Sequence, residues 1–424
     1  MNPNFSGGKK MKNKTLNRRD FLRTAAGAGI ASAFAAGAGI SIASAIDPNR
    51  PADTNEPNKP VEKYPQVPMR KLGRADKLVS ALSLGVMFDA VENQIVLHKA
   101  YQWGITYWDT AHGYAGGKSE EGIGKYLTKK PQHRKDLFIV TKASGASDSA
   151  SRTDRLQTSF KRMNTDYVDL YYGVHGLQDP ADLNDDLKNW AADAKAKGLI
   201  KYFGFSTHSN MAECMMAASK LDWIDAIMPS YNYRLLQNPE FVTAVEACNK
   251  AGIAIIAMKT QGKKMDVDSG KELYQHFMSK GFSEGQAKIK VTLQDNRICS
   301  ACVRMENIAT ITQNVAAVLD KTQLSKSDVE FLGDYAKATC SEYCSACGLC
   351  ESAVPQMSYV SNVMRSLMYH NNYGDVALAR ETFSDAISKL SAPLGSFDYS
   401  RAESVCPNKI AIGKMMKEAE KLFA

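Results

Sequence analysis

The sequence carries little net charge outside its first 45 residues, and it has no long leucine-rich run. The formal charge of the 424-residue chain is +8, but residues 1–45 hold seven Lys or Arg against one Asp, so the remainder carries only about +2. No basic surface able to neutralise a phosphate backbone is indicated, which disfavours nucleic-acid binding. The apolar run near the N-terminus is rich in Gly and Ala, which makes it a poor membrane anchor.

The sequence also lacks the glycine fingerprint of an open dinucleotide-binding sheet. The stretch GAGIASAFAAG resembles one superficially, but no strand precedes it and it lies within an N-terminal signal. The first strand candidate of the main region continues as SLGVMFD, without the glycines that begin a doubly wound sheet. The length and the ordinary hydrophobic content of 44% indicate one large globular domain with a smaller one.

The N-terminus is typical of a twin-arginine export signal. The motif RRDFL stands before the apolar run, and Ala43 and Ala45 offer an A-x-A cleavage site. We predict that residues 1–45 are a signal peptide, with the twin-arginine translocation machinery as partner and a periplasmic or extracytoplasmic destination; an uncleaved anchor is the alternative. This route carries folded proteins, which suits a cofactor inserted in the cytoplasm. Residues 46–68 hold six prolines and predict an extended linker.

From Met69 the chain alternates short β-rich runs with amphipathic helical stretches. The strand candidates are residues 81–87, 105–109, 137–142, 168–175, 202–207, 225–231, 253–259 and 298–303. Eight strand–helix units over about 250 residues predict an α/β fold, a (β/α)8 TIM barrel, spanning residues 69–322. Residues 323–424 follow a helical rhythm and predict a small, mainly helical C-terminal domain.

Four side chains fall where such a barrel places its chemistry. Asp109, Lys142 and His175 end successive strand candidates at intervals of 33 residues, and Tyr114 follows Asp109 by five. A tyrosine has a pKa near 10, and a nearby ammonium that stabilises its phenolate is expected to lower that pKa and ease proton donation. A carboxylate keeps the ammonium charged. An imidazole can bond the substrate oxygen. Together the four residues favour catalysis of carbonyl reduction, although each alone could be structural.

These motifs resemble the aldo-keto reductase family over residues 69 to about 319. The segment MRKLGRADKLVSALSLG resembles its opening hairpin, and WDTAHGYAGGKSEEGIGKYL resembles its Asp–Tyr signature. LFIVTK supplies the lysine, VDLYYGVH the histidine, and KYFGFSTH the segment that holds the nicotinamide amide. The resemblance implies hydride transfer between NADP(H) and a small carbonyl or alcohol substrate. It implies that Tyr114 is the general acid, that Lys142 and Asp109 adjust the acidity of Tyr114, and that His175 orients the substrate oxygen.

The cofactor positions depart in part from the family pattern. Met228 replaces an expected glutamine, Met258 replaces the aromatic that stacks on the nicotinamide, and Thr310 replaces a second arginine. Arg304 stands where a basic residue would meet the adenosine 2′-phosphate, which favours NADP over NAD. The cofactor-binding residues that the resemblance assigns are Ser206, Thr207, Met258, Arg304, Gln313 and Asn314.

A cysteine motif in the last fifth of the chain predicts an iron–sulfur site. Cys344, Cys347 and Cys350 follow the C-x2-C-x2-C spacing that wraps a [4Fe-4S] cluster, whose fourth ligand is a remote Cys-Pro. The chain's only Cys-Pro pair begins at Cys406, which we favour as the fourth ligand over Cys340. Four thiolates would also suit zinc. The region resembles the ferredoxin-like extension of some aldo-keto reductase homologues, including exported ones.

These features predict an exported oxidoreductase that contains a cluster. The cluster either relays electrons to or from a redox partner protein or only holds the C-terminal domain together. Because no soluble NADPH pool exists outside the cytoplasm, we expect any nicotinamide to be bound before export. The alternative is a non-catalytic or electron-transfer protein that uses the barrel as a scaffold. Met228, Met258 and Thr310 support that alternative, and the four catalytic candidates oppose it.

Overall fold

The structure, a computed structural model, describes residues 64–260, 271–388, 390 and 392–423. The predicted signal peptide and residues 46–63 of the predicted linker lie outside the described residues. Within the described part of the chain, no helix combines the length and the apolar character needed to cross a membrane.

Eight parallel strands, β3 to β10, close into a barrel in sequence order, with β10 paired to β3. The predicted (β/α)8 barrel is therefore confirmed. Each predicted strand overlaps one barrel strand, although several are shorter than predicted because their last residues belong to rim loops. The barrel strands are β3 Leu82–Gly85, β4 Tyr107–Asp109, β5 Phe138–Lys142, β6 Val168–His175, β7 Ile200–Thr207, β8 Ala226–Pro229, β9 Ala254–Ala257 and β10 Ile298–Arg304.

An antiparallel hairpin, β1 Met69–Lys71 and β2 Leu78–Ser80, closes the N-terminal end of the barrel. Its Leu72 and Val79 are buried in the cluster that fills the barrel interior. Gly73 has a φ of +52°, and a Cβ at this position would lie 2.4 Å from the Gly252 carbonyl oxygen. Only glycine allows this close approach of the two backbones.

Amphipathic helices surround the barrel, and several begin at side chains suited to N-caps. Asp148 and Ser283 each form a capping box with the residue three positions later. The described barrel helices are α1 Gln94–Gln102, α2 Lys118–Lys129, α3 Ser149–Met163, α4 Asp185–Ala196, α5 Met211–Ala218, α6 Pro239–Lys250, α7 Lys271–Ser279, α8 Glu284–Gln294 and α9 Ile308–Leu319.

The region after the barrel is helical, as predicted. Its first helix packs on the barrel side, because Leu332 lies in a cluster with Tyr233 and Phe277. The later helices surround a separate core, in which Val363, Phe383 and Met416 are buried. The helices are α10 Lys326–Ala338, α11 Leu349–Ala353, α12 Val360–Tyr373, α13 Val376–Ile387, α14 Ser400–Ser404 and α15 Ile412–Phe423.

This C-terminal region lies over the C-terminal rim of the barrel, where the strands end. The Asn210 amide donates to the Ala346 carbonyl at 2.9 Å. Asn232 Nδ2 donates to the Tyr343 hydroxyl at 3.0 Å. Since both barrel residues follow strand ends, the cysteine-bearing loop is positioned beside the rim on which catalytic residues gather in this fold.

Candidate active site

Three of the four predicted catalytic residues end neighbouring strands. Asp109 is the last residue of β4, Lys142 of β5 and His175 of β6, and these strands pair in that order. Parallel strands present their carboxyl ends at one rim, so the three side chains gather there. Tyr114 lies in the short loop between β4 and α2. The structure thus brings the four residues together.

Lys142 and Asp109 form a buried ion pair. Lys142 Nζ donates to Asp109 Oδ1 at 2.5 Å and to the Thr110 carbonyl at 2.7 Å. The two side chains are only 1% and 3% exposed. Burial by itself would lower the pKa of Lys142, but Asp109 and Tyr114 outweigh it and raise that pKa. The lysine therefore stays charged at neutral pH.

Tyr114 lies between the lysine and the histidine. Lys142 Nζ is 4.5 Å from the centroid of its ring, and the ring centroid of His175 is 5.9 Å away. Burial raises the pKa of Tyr114 to about 12, although Lys142 acts to lower it. The sequence predicted a lowered pKa; the structure corrects this, because desolvation outweighs the ammonium. Tyr114 is consequently protonated at neutral pH and can donate.

The buried carboxylate of Glu120 stabilises the loop that carries Tyr114. Glu120 accepts from Thr141 Oγ1 at 2.7 Å and from Arg162 Nη1 at 3.1 Å. The same guanidinium donates to the His112 carbonyl at 2.7 Å, two residues before Tyr114. Because Thr141 directly precedes Lys142, these contacts fix the tyrosine loop relative to the lysine.

His175 is oriented by a serine that sequence reasoning missed. Ser144 Oγ lies 2.9 Å from His175 Nδ1 and accepts from the Gly113 amide at 3.3 Å. When the Ser144 hydroxyl donates to Nδ1, the proton of a neutral imidazole is on Nε2. That N–H can bond a substrate oxygen. Ser144 could have been identified from the sequence, because it follows Lys142 by two residues.

Lowering the pH is expected to destabilise the protein through His175. Burial, together with Lys142, Arg365 and Lys259, lowers the pKa of His175 to about 3, against about 6.5 in an unfolded chain. Below pH 6.5 the unfolded chain binds a proton that the native chain excludes. The stabilisation is therefore present above about pH 6.5 and is lost as the pH falls toward 3, by about 1.4 kcal/mol per pH unit.

Denaturant titrations between about pH 7 and 5 would measure this effect as the free energy of unfolding. The wild type should lose more stability per pH unit than His175→Gln, since glutamine binds no proton in this range. Equal slopes in the two proteins would contradict a neutral, buried His175.

The barrel sequence matches a known family over most of its length. The sequence profile of the Aldo/keto reductase family matches residues 82–332, more than half of the chain. The chain belongs to the aldo/keto reductase family. Residues 333–424, which hold the cysteine motif, lie beyond the matched region.

Curated relatives and solved structures are similar to the same region. The L-glyceraldehyde 3-phosphate reductase of Escherichia coli K12 is 25% identical, over 62% of this chain and 91% of that protein. Aldo-keto reductase str7 of Strobilurus tenacellus is 31% identical, over 46% of this chain and 62% of its own length. Aldo-keto reductase yakc [NADP(+)] of Schizosaccharomyces pombe is 28% identical, with coverages of 46% and 62%. This chain thus spans about three fifths of the length of the last two.

The fold comparison agrees. A thermostable aldo-keto reductase solved with the inhibitor epalrestat has a TM-score of 0.54 and 26% identity, over 63% of this chain and 99% of that one. An aldo-keto reductase from Bacillus halodurans, at 22% identity and a TM-score of 0.53, shows a common fold alone.

In this aldo/keto reductase the predicted nicotinamide-amide positions are closed to solvent. Ser206 and Thr207 are 1% and 0% exposed. Ser206 Oγ accepts from the Gly176 amide at 3.1 Å. Thr207 Oγ1 donates to the carbonyls of Leu177 at 2.7 Å and Ser209 at 3.0 Å. Both hydroxyls are thus engaged with backbone around the ends of β6 and β7.

The other predicted cofactor positions are separate from this pair. Met258 packs against the apolar cluster of the barrel interior. Gln313 is exposed on α9, whereas Asn314 is buried and its Nδ2 has no hydrogen-bond partner. Arg304 Nη1 lies 3.0 Å from Asp375 at the start of α13, and Arg304 Nη2 lies 2.7 Å from Glu306.

A dinucleotide therefore fits this aldo/keto reductase only in part. The four residues to which the resemblance assigns reduction gather at one end of the site. At the phosphate end, a nucleotide would have to displace two carboxylates from Arg304. The 2′-phosphate role of Arg304 stays a prediction.

The predicted metal-binding cysteines line one cavity. Cys344, Cys347, Cys350 and Cys406 border about 360 Å³ of empty space, part of it open to solvent. Cys340 begins a separate short turn and does not border this cavity. Burial raises the pKa of Cys350 to about 12. Among the described residues, no three or more His, Cys, Asp or Glu side chains form a group that could hold a metal ion.

Proposed function

We propose that this protein reduces small carbonyl compounds to alcohols, or catalyses the reverse oxidation. The observation that carries the proposal is the convergence of Asp109, Tyr114, Lys142 and His175 at one end of the barrel. Family membership and the reductase names of the relatives support it. Aldehyde-dependent consumption of NADPH by the purified protein is the direct test.

In this proposal each of the four residues has its own task. The Tyr114 hydroxyl donates its proton to the carbonyl oxygen, and the Lys142 ammonium stabilises the phenolate left behind. Asp109 keeps Lys142 charged and fixed. The Nε2 proton of His175 bonds the same carbonyl oxygen and shares the charge that develops on it. A nicotinamide cofactor, when bound, supplies the hydride.

NADP(H) is the cofactor that we propose, with NAD(H) as the alternative. Arg304 would bind the 2′-phosphate once Asp375 and Glu306 release it. The yeast relative carries NADP(+) in its name, which supports the same choice. Ser206, Thr207, Met258, Gln313 and Asn314 would surround the rest of the nucleotide.

The C-terminal region would hold a [4Fe-4S] cluster. The four cysteines that border one cavity support this proposal. A cluster places its thiolates around a core of irons and sulfides, so these ligands stand farther apart than those of a single ion. The apolar neighbours Val360, Met364 and Ile410 would limit water around the cluster. It would either relay electrons or hold the domain together.

Replacing Cys406 with Ala is expected to abolish the [4Fe-4S] absorbance, because Cys406 is the remote residue that shares a cavity with the three motif cysteines. Cys340→Ala is the matched control and should retain the full spectrum and iron content. A cluster retained in Cys406→Ala but lost in Cys340→Ala would move the fourth ligand to Cys340. Zinc in place of iron in the wild type would refute the cluster.

Export through the twin-arginine route is proposed from residues 1–45, together with cofactor loading before export. We expect protein recovered from outside the cytoplasm to begin after Ala45 and to release nucleotide on denaturation. Edman or mass-spectrometric sequencing and chromatography of the released nucleotide would measure both. Mature protein with neither bound nucleotide nor the ability to bind it would contradict the loading step.

A further inference from the structure

A large cavity lies between the barrel rim and the C-terminal region. It encloses about 760 Å³ of empty space, part of it open to solvent. The barrel contributes His208, Ser230 and Lys259, which follow the ends of β7, β8 and β9. The C-terminal region contributes the loop before Cys347 and one face of α12, including Arg365. Two separate parts of the chain therefore build this cavity.

The cavity holds two basic side chains, Lys259 and Arg365. Among the described residues, no Asp or Glu oxygen lies within ion-pairing distance of Lys259 or Arg365. Lys259 Nζ lies 3.2 Å from His208 Nδ1, and Arg365 Nε is buried with no hydrogen-bond partner in the described part of the chain. Glu342 also lines the cavity. Burial and the neighbouring Arg365 lower the pKa of Lys259, and an anion bound beside both side chains would favour its charged form.

The two cations also act on the catalytic site. Together with burial, Lys259 and Arg365 lower the pKa values of both His175 and His208. The rings of these histidines are 6.5 Å apart. Lys259 contacts His208, and His208 neighbours His175, so the cavity borders the catalytic site.

We propose that Lys259 and Arg365 bind the carboxylate or phosphate of an anionic carbonyl substrate while its carbonyl group meets Tyr114 and His175. This inference rests on the proposed reductase function and adds the substrate class. Lys259 has a φ of +54°, which an L-residue adopts at a cost, so its position is fixed by the surrounding fold. Arg365 gives the C-terminal region a direct part in substrate selection.

Matched aldehydes test the proposal: 4-carboxybenzaldehyde against benzaldehyde, and glyceraldehyde 3-phosphate against glyceraldehyde. Arg365→Gln and Lys259→Gln should each lower kcat/KM for the charged member by roughly 10- to 100-fold, the range for a lost charged hydrogen bond. The neutral member should change little. Arg380→Gln, an exposed position on α13, is the control and should alter neither. The charged aldehyde whose kcat/KM falls more identifies carboxylate or phosphate as the group that the site binds.

Equal losses for charged and neutral aldehydes would overturn the proposal. So would weaker binding of ADP-ribose in Arg365→Gln with unchanged discrimination, because the cations would then serve the nucleotide. If the wild type reduces none of the four aldehydes, the proposed function fails. Calorimetry then tests the anion site independently of activity. Tighter binding of 4-carboxybenzaldehyde than of benzaldehyde, lost in both variants, would support the anion site. Equal or absent binding would overturn it.

Discussion

Replacing Tyr114 with Phe is expected to lower kcat for carbonyl reduction by roughly 10²- to 10⁴-fold, the usual contribution of a positioned general acid. Phenylalanine keeps the ring that lies 4.5 Å from Lys142 Nζ and removes only the hydroxyl. Steady-state reduction of an aldehyde by NADPH measures the loss. Circular dichroism and any cluster absorbance should be unchanged, since the substitution removes a single hydroxyl and keeps the half-buried ring.

Tyr167→Phe is the control for that experiment. Tyr167 precedes β6, at the opposite end of the barrel, where its ring lies under Arg134 and Lys201. It should retain wild-type activity. If Tyr114→Phe reduces aldehydes as fast as the wild type, Tyr114 is not the proton donor. A wild type without any reductase activity would favour the alternative of a scaffold or electron-transfer protein.

Replacing Lys142 with Met is expected to lower the free energy of unfolding by about 3–5 kcal/mol, because it leaves the Asp109 carboxylate buried without its partner. Asp109 Oδ1 loses its 2.5 Å bond, and Oδ2 already has no hydrogen-bond partner among the described residues. The double variant Asp109→Leu, Lys142→Met should recover most of the stability, since neither charge is then buried. Urea denaturation would measure all three proteins.

Reductase activity should stay lost in the double variant, which separates the catalytic role of the pair from its structural one. The exposed pair Lys197–Asp193, at 62% and 60% exposure, is the matched control. Lys197→Met should cost at most about 1 kcal/mol. A double variant no more stable than Lys142→Met would show that the cost does not come from an unpaired Asp109.

The barrel and its catalytic residues could be predicted because their signals are local. The alternation of strands and helices repeats along the chain, and parallel strands of a barrel end at the same rim. Asp109, Lys142 and His175 could therefore be identified without knowledge of distant contacts. Ser144 was within reach of the same reasoning, since it lies in the loop that follows Lys142.

Residues that depend on the C-terminal region could not be predicted in this way. Arg365 lies on α12, and no local pattern connects it with Lys259 at the end of β9. The pairing of Arg304 with Asp375 joins residues 71 positions apart. Such contacts depend on how α12 and α13 pack over the rim, and packing between distant segments leaves no periodicity in the sequence.

The sequence by itself determined the barrel, the order of its catalytic residues and the three-cysteine loop, because backbone geometry and residue spacing carry that information. Only the tertiary structure decided the environment of those groups. Burial keeps Tyr114 protonated despite the nearby Lys142, and it keeps His175 neutral. Folding also brings Cys406 to the other three cysteines and Arg365 to Lys259. Desolvation and long-range proximity arise from the packed fold, so spacing along the chain cannot supply them.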